Sequence, residues 1–239
     1  MTYSYKKVTF SSSPFGGSFS PAIKNLIIAN VAVFFLQAVA GYKLIYFFGL
    51  VPQLVLGKFY FWQLFTYQFL HGGLFHILFN MLALWMFGGE LERLWGSSSF
   101  LKYYFLCGIG AGICTVVFLP ASLSPTIGAS GAIYGVLLAY GLLFPDRTIY
   151  IYMLFPMKAK HFVILMGAVS FFSSISANQS GIAHIAHLGG MVFGYLYLKK
   201  WDVRGIWRKF YLKIKYAWFK RKLKVISKDD HDDDKKYYH

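Results

Sequence analysis

The sequence predicts an all-α, polytopic membrane protein, a bundle of six spanning helices. Of its 239 residues, 57% are hydrophobic and 14% are charged, whereas about a quarter of a soluble domain is charged. A soluble fold of this size cannot bury so much apolar surface. Of the nine carboxylates, only Glu90, Glu92 and Asp146 precede Asp202, and they fall where loops or helix ends are expected. The apolar part of the chain is therefore almost free of negative charge.

Apolar runs of helix length define a membrane domain over residues 23–200. The runs are about Ile23–Ala40, Leu74–Gly89, Phe100–Leu119, Ser130–Phe144, His161–Ile175 and Gly181–Leu198. Residues 1–22 are rich in Ser, Gly and Pro and are predicted to form a flexible cytoplasmic tail. Residues 201–239 are predicted to form a basic cytoplasmic tail with an acidic end, and residues 149–160 a loop between spans.

The first apolar run has a second interpretation as a cleaved signal peptide. Its end, Ala38-Val39-Ala40, resembles a small-residue cleavage site. The run is long enough to span, however, and further spans follow it. We therefore expect a retained first helix.

The stretch Gly41–Trp62 is rich in aromatic residues but does not read as a clean span. It is interrupted by Pro52 and Gly57 and carries Lys43 and Lys58. Aromatic rings and lysines are typical of the membrane–water boundary. We expect an element that lies at the interface.

The basic residues orient the predicted spans. Six spans put both termini on one side. Loops on that side hold Arg93, Lys102, Arg147, Lys158 and Lys160, and loops on the other side hold Lys43 and Lys58. The positive-inside rule then predicts cytoplasmic termini in the cell membrane. Of the 24 Lys and Arg residues, 14 lie from Lys199 onward, interleaved with aromatic rings. This pattern favours an anionic lipid surface, and no nucleic-acid partner is expected.

A set of polar residues falls at one predicted depth in the bilayer. Ser130 begins the fourth run within Gly128-Ala129-Ser130-Gly131. His187 lies just inside the sixth run, and His76 and Asn80 lie near the start of the second. All three runs descend from the outer face in the predicted topology. Unrelated packing residues have no reason to share a depth, and polar side chains in a membrane are candidates for function.

Ser130 and His187 are a candidate nucleophile and base, since a serine hydroxyl is weak until a base takes its proton. Glycines at helical spacing follow both residues. They are Gly131 and Gly135 in the fourth run, and Gly190 and Gly194 in the sixth. Such glycines let two helices approach closely, which would bring the hydroxyl and the imidazole together. The glycines could equally serve packing alone.

No carboxylate is expected behind His187, because all three in the apolar part fall at the cytoplasmic end. The sequence therefore predicts a Ser/His dyad rather than a triad. Loss of the acid costs about four powers of ten in a soluble triad enzyme, so slow turnover is expected unless helix packing or another residue orients the imidazole. Tyr134 is four residues after Ser130 and can stack on, or hydrogen-bond to, His187. Its other interpretation is a packing aromatic.

An oxyanion needs hydrogen-bond donors. The Ser130 N–H is available at a helix N-terminus, and the side chains of His76 and Asn80, one turn apart, can point at one spot. His71 is more weakly implicated. Taken singly, a serine, histidine or asparagine in a membrane helix is usually a packing residue. A metal site is disfavoured by the histidine spacing and by the lack of a HExxH motif, and no cofactor is predicted.

In combination, these motifs resemble the rhomboid family of intramembrane serine proteases. The matching pieces lie between Trp62 and Gly194: His71-x4-His76-x3-Asn80, Glu92-Arg93, Gly128-Ala129-Ser130-Gly131 with Tyr134, and Ala186-His187-Leu188-Gly189-Gly190 with Gly194.

The resemblance implies a six-helix rhomboid-like bundle with an interfacial first loop and a cavity open to the outer face. It implies Ser130 as nucleophile and His187 as base, with His76 and Asn80 as oxyanion donors. It places Glu92 and Arg93 in a structural loop. It also implies single-span membrane proteins as substrates, within membrane lipids. His184, one turn above His187, is the weaker candidate base, and Tyr67 receives no role.

Two other functions remain open on the sequence. One is a non-catalytic, rhomboid-like binder of membrane helices, which an intact Ser130/His187 pair disfavours. The other is a transporter with a histidine relay, but no interrupted helices recur in two halves as transporters often show.

Overall fold

The computed structural model describes residues 20–151, 155–175 and 183–200. The chain divides into two compact units, Met1–Tyr195 and Leu196–His239. The described part of the second unit is helical residues 196–200. The described residues exclude residues 1–19 of the predicted N-terminal tail, the whole predicted C-terminal tail and residues 181–182 of the sixth predicted span. The all-α prediction is confirmed for the described part of the chain, apart from one small hairpin.

The first helix, α1 (Pro21–Ala40), begins two residues earlier than predicted. Proline is favoured at the first helical position, because its fixed φ suits the helix and the missing N–H would have no partner there. The helix ends at Gly41, whose φ of +62° is accessible to glycine at little cost.

The stretch after α1 is a series of short helices rather than a span, in agreement with the prediction. They are α2 (Tyr42–Phe48), α3 (Pro52–Gly57), α4 (Gln63–Thr66) and the 3₁₀ turn Tyr67–Phe69. The buried Gln63 holds them together: its Oε1 accepts the Val51 N–H at 3.0 Å, and its Nε2 donates to the Tyr46 carbonyl at 3.0 Å. The interfacial position of this stretch stays a prediction.

The second apolar run is longer than predicted. It comprises α5 (Leu74–Ala83), a π-helical segment (Leu84–Gly88) and α6 (Gly89–Trp95), a continuous 22 residues. The expectation that Glu92 and Arg93 lie in a loop is therefore wrong, because both belong to α6. A charged residue need not end a helix when its neighbours supply hydrogen bonds, and Glu92 has such neighbours.

The carboxylate of Glu92 fastens the beginning of α1 to α6. It accepts the backbone N–H groups of Ala22 at 2.8 Å and Ile23 at 3.0 Å, together with the Ser20 hydroxyl. It also accepts the Ser97 hydroxyl at 2.6 Å. The first N–H groups of a helix lack partners within the helix, so a carboxylate there both satisfies them and complements the helix dipole.

The centre of the bundle is made by α7 (Ser97–Phe118) and α8 (Ser130–Leu143). Ten of the 14 residues of α8 are buried, as are ten of the 22 of α7. The Tyr103 hydroxyl donates to the Gly135 carbonyl at 2.7 Å. This bond ties the two helices together, and α8 lies at the core with Ser130 as its first residue.

The predicted loop 149–160 is wrong, because it contains an antiparallel hairpin, β1 (Thr148–Ile151) and β2 (Phe155–Lys158). Asp146 lies before the hairpin and accepts Lys158 at 3.3 Å and Lys160 at 2.9 Å. These lysines, Lys160 first, hold the pKa of the Asp146 carboxyl below its usual value. The β-branched and aromatic residues of β1 favour a strand.

The last helices are α9 (Ala159–Ile175) and α10, described over residues 183–200. Within the described residues, three helical stretches are long and apolar enough to cross a membrane: α1, Leu74–Trp95 and α7. Two shorter apolar helices, α8 and α9, accompany them. The count of six spans and the cytoplasmic termini stay predictions.

The role of Glu92 is tested by comparison with Glu90, two residues earlier. Glu92→Gln should lower the free energy of unfolding by about 2–4 kcal/mol, because an amide cannot accept all four donors. Glu90 pairs with a partly exposed Arg147 at 2.8 Å, so Glu90→Gln should cost at most about 1 kcal/mol. Thermal unfolding of both variants in detergent measures the difference. Equal losses of unfolding free energy in the two variants would show that Glu92 does not fasten α1 to α6.

Candidate active site

Ser130 is the first residue of α8, and the chain that leads to it is held at several points. Leu50 and Thr126 exchange backbone hydrogen bonds at 2.9 and 2.8 Å. The Gly128 N–H donates to the Tyr67 carbonyl at 2.9 Å. Gly128 has a φ of +124°, which side chains other than hydrogen rarely allow. Ser130 thus follows a loop whose backbone conformation is restrained.

The structure brings Ser130 and His187 into hydrogen-bonding contact. His187 Nε2 lies 2.8 Å from Ser130 Oγ. The Tyr134 ring lies parallel to the His187 ring, with centroids 4.1 Å apart and an interplanar angle of 5°. Ser130 and Tyr134 are one turn apart on the same side of α8. The Ser130 hydroxyl contacts the edge of the imidazole at Nε2, and the Tyr134 ring covers the flat side of the imidazole. The ring therefore has little freedom to rotate away from the hydroxyl.

The close approach of α8 and α10 is made by glycines, as the sequence predicts. A Cβ atom at Gly190 would overlap the carbonyl oxygen of Gly131. A Cβ atom at Gly194 would lie 3.3 Å from the Gly135 Cα. The helix backbones therefore touch at two successive turns. The predicted packing of these glycine faces is confirmed.

His76, on α5, lies close to Gly128 in the loop before Ser130. Its Nδ1 accepts the Gly72 N–H at 3.2 Å. A Cβ atom at Gly128 would lie 2.8 Å from His76 Nε2 and 3.8 Å from Ser130 Oγ. The missing side chain of Gly128 thus leaves a space that the imidazole of His76 and the hydroxyl of Ser130 both face.

Asn80 is buried, but its described hydrogen bond is within its own helix. Its Nδ2 donates to the His76 carbonyl at 2.8 Å. An amide nitrogen carries two hydrogens, so one remains for another acceptor. The described contacts of Asn80 therefore link it to the backbone of α5 rather than to Ser130, and its predicted role as a donor stays a prediction.

The other histidines lie beside this group. The buried His71 meets His76 edge to face, with ring centroids 5.1 Å apart. His184 meets His187 in the same way at 5.7 Å. Within the described residues, His187 Nδ1 is buried without a hydrogen-bond partner, and no group of three or more His, Cys, Asp or Glu is placed to hold a metal. Glu92 and Arg93 lie on α6, and the contacts of Glu92 are with the starts of α1 and α7.

Two residues near the site carry contacts that the sequence reasoning missed. Tyr67 is almost fully buried; its hydroxyl donates to the Gly108 carbonyl at 2.7 Å, and its carbonyl accepts the Gly128 N–H. Gln37 of α1 bonds twice to the backbone of His71. Gln37 had a detectable signal, since a polar side chain in an apolar helix is costly unless it has partners. The sequence held no comparable signal for Tyr67 apart from its position shortly before His71.

Comparisons with known proteins all match this chain to one family. The family model described as the rhomboid domain matches residues 58–200. The mitochondrial Rhomboid protein 1 of Saccharomyces cerevisiae is 35% identical over 141 residues, 54% of this chain and 38% of that protein. Rhomboid protease GluP of Bacillus subtilis is 33% identical over 180 residues, 73% of this chain and 34% of that protein.

Rhomboid protease GlpG of Pectobacterium atrosepticum is 28% identical over 190 residues, 76% of this chain and 63% of that protein. The matched regions thus span little more than a third of the yeast and Bacillus relatives.

The contact between α8 and α10 can be tested with one methyl group. Gly190→Ala should lower the free energy of unfolding by at least about 1–3 kcal/mol, because the methyl group would press on the Gly131 carbonyl. At Gly57, nothing lies within 4 Å of an added Cβ, so Gly57→Ala should be neutral or slightly stabilising. Thermal unfolding in detergent compares the two. An unfolding midpoint for Gly190→Ala at or above that of Gly57→Ala would contradict the packing.

Proposed function

Because the chain belongs to the rhomboid family, whose relatives here include named rhomboid proteases, we propose that it is an intramembrane serine endopeptidase. Its substrates would be single-span membrane proteins, cut within or next to the spanning helix. The observation that carries the proposal is the 2.8 Å contact between His187 Nε2 and Ser130 Oγ. A hydroxyl at this distance from a neutral imidazole can pass its proton to the ring as it attacks.

In the proposed reaction, Ser130 Oγ attacks the scissile carbonyl carbon while His187 Nε2 takes the hydroxyl proton. The tetrahedral intermediate collapses, the C–N bond breaks, and His187 returns the proton to the departing amine. Water then attacks the acyl carbon and gives one proton to His187. The ester C–O bond breaks, His187 passes that proton to Ser130 Oγ, and the carboxyl product leaves. The cycle uses no cofactor and returns both groups to their starting states.

The orientation of His187 in this scheme depends on packing rather than on a carboxylate. A triad aspartate holds its histidine through Nδ1, whereas the described residues offer His187 Nδ1 no hydrogen-bond partner. The parallel ring of Tyr134 limits tilting of the imidazole. Because a stacked ring replaces an ionic partner, turnover should be slow compared with soluble triad enzymes.

The developing oxyanion would be stabilised from two sides. The Ser130 N–H lies at a helix N-terminus, where amides lack partners within the helix. His76 Nε2 and Ser130 Oγ lie 2.8 and 3.8 Å from one point, the position of a Cβ at Gly128, so His76 would donate to the oxyanion on the carbon that Ser130 Oγ attacks. Asn80 would contribute through its second amide hydrogen or through its hold on the His76 carbonyl. One such donor is worth about 10²–10³ in rate.

The proposed site would open toward the outer face of the membrane, with both termini in the cytoplasm. That orientation rests on the basic residues of the loops and tails. The surrounding lipid follows from the family and from the exposed apolar faces of the helices. The substrate would reach the site from within the bilayer.

Replacement of Ser130 tests the proposal. Ser130→Ala in liposomes that contain a reporter membrane helix should abolish cleavage, because no other group takes the place of the nucleophile. Ser124→Ala is the matched control, since Ser124 is an exposed serine in the preceding loop, and it should cleave at the wild-type rate. Gel analysis of the products over time measures both. Undiminished cleavage by Ser130→Ala would refute the mechanism, and binding without cleavage by the wild-type protein would favour a non-catalytic helix binder.

The stacked ring is tested by a pair of changes at Tyr134. Tyr134→Leu should lower kcat by about threefold to tenfold, the value of an aromatic pair. Tyr134→Phe keeps the ring and should retain more of the rate than Tyr134→Leu. Initial rates at saturating reporter distinguish the two. Equal losses in both variants would mean that the hydroxyl, not the stack, is what matters.

A further inference from the structure

We propose that Gln37, on α1, is a positioning residue that sets the tautomer and direction of the His76 ring. The inference rests on the proposed function, in which His76 donates a hydrogen bond to the oxyanion. Gln37 contacts neither Ser130 nor the reacting atoms. It would act through two peptide groups, those of His71 and Gly72.

The first step is a paired contact between a side-chain amide and a backbone segment. Gln37 Nε2 donates to the His71 carbonyl at 2.8 Å, and Gln37 Oε1 accepts the His71 N–H at 3.1 Å. The two bonds use the donor and the acceptor of the same residue, so they fix its orientation as well as its position. A single bond would leave the backbone free to rotate about it.

This contact lies just before two consecutive glycines. His71 is followed by Gly72 and Gly73, and no heavy atom outside the neighbouring residues lies within 4 Å of a Cβ placed at Gly73. Consecutive glycines have the widest choice of backbone conformation. A fixed residue just before them therefore decides where the Gly72 N–H points.

The second step passes from the backbone to the imidazole. The Gly72 N–H donates to His76 Nδ1 at 3.2 Å. A backbone N–H can only donate, so the nitrogen that accepts it carries no proton. In a neutral ring the proton must then be on Nε2. That is the nitrogen that faces the space shared by Gly128 and Ser130 Oγ.

The direction of this bond matters for the chemistry. With the proton on Nε2, His76 presents a donor to a developing negative charge; with the proton on Nδ1, it would present a lone pair and repel that charge. The second tautomer also leaves the Gly72 N–H without its acceptor. Gln37 therefore favours the productive tautomer by holding the donor that selects it.

The position of Gln37 in an apolar helix calls for a physical reason. α1 is an apolar helix, and most of its second half is exposed, including Leu36 and Val39 on either side of Gln37. A polar amide among such residues is costly in lipid. The two hydrogen bonds offset that cost, and they also satisfy the N–H and C=O groups of His71. A tie that serves stability alone is the competing explanation.

Kinetics separate the two explanations. Gln37→Leu should lower kcat by about tenfold to a hundredfold, within the range of a lost oxyanion donor, with KM changed less than about twofold. The same change added to His76→Ala should alter the residual rate by less than about twofold, because the group through which Gln37 acts is already gone. Gln37→Asn, one methylene shorter but still polar, serves as a second variant if the leucine variant does not fold.

Thr66→Val is the matched control, since the Thr66 hydroxyl also ties neighbouring backbone, donating to the Phe48 carbonyl at 2.7 Å, but does not touch His71. It should leave kcat unchanged. A kcat loss in Thr66→Val as large as that in Gln37→Leu would assign the effect to general loosening, and the inference would be wrong.

The tautomer itself provides a readout that does not depend on activity. Nitrogen-15 NMR of histidine-labelled protein, assigned with His76→Ala, should show one protonated nitrogen, Nε2, on His76 in the wild type. Gln37→Leu or Gln37→Asn should give a mixture of tautomers. An unchanged His76 spectrum in a folded Gln37 variant would overturn the inference. If the wild-type protein shows no cleavage that depends on Ser130, the proposed function fails, and the spectrum still decides whether Gln37 sets the tautomer.

Discussion

The close contact between the backbones of α8 and α10 is the constraint on which the site depends. Gly190 lies against the Gly131 carbonyl so closely that even one methyl group has no room. At that separation, Ser130 at the start of α8 and His187 near the start of the described part of α10 are held within hydrogen-bonding distance. Close packing of small residues is also what holds helices together in lipid, where the hydrophobic effect between them is absent. The same contact therefore supports the fold and the chemistry.

Buried polar side chains organise the rest of the bundle. In lipid a polar group without a partner costs several kcal/mol, roughly the value of more than one ordinary hydrogen bond. Glu92 satisfies the first N–H groups of α1, and Gln63 satisfies backbone groups of the short helices that follow. Gln37 bonds to the backbone of His71 at the other end of α1. Each of these side chains contacts backbone distant in sequence, so each selects one arrangement of the elements.

Local pattern was enough to predict the all-α class, the approximate places of the apolar helices and the contact between Ser130 and His187. Glycines four residues apart and a serine at a helix start are features of short stretches, and their consequence is a contact between two helices. Glu92 was misplaced because a charged residue can continue a helix when it has buried partners, and its partners at the start of α1 are some 70 residues away. The hairpin was missed because Lys158 and the nearby Lys160 are typical of a loop, whereas both lysines pair with Asp146, which precedes the hairpin. The contact of Gln37 was missed for the same reason, because its partner is the backbone of His71, which is distant in sequence.

The central claim is that Ser130 is a nucleophile activated by His187, and covalent labelling tests it most directly. A fluorophosphonate reacts with an activated serine and leaves ordinary hydroxyls unmodified. Peptide mapping by mass spectrometry after labelling of folded protein should find the adduct on Ser130, and His187→Ala should remove it. An adduct on another serine, or no adduct on folded wild-type protein, would contradict the account.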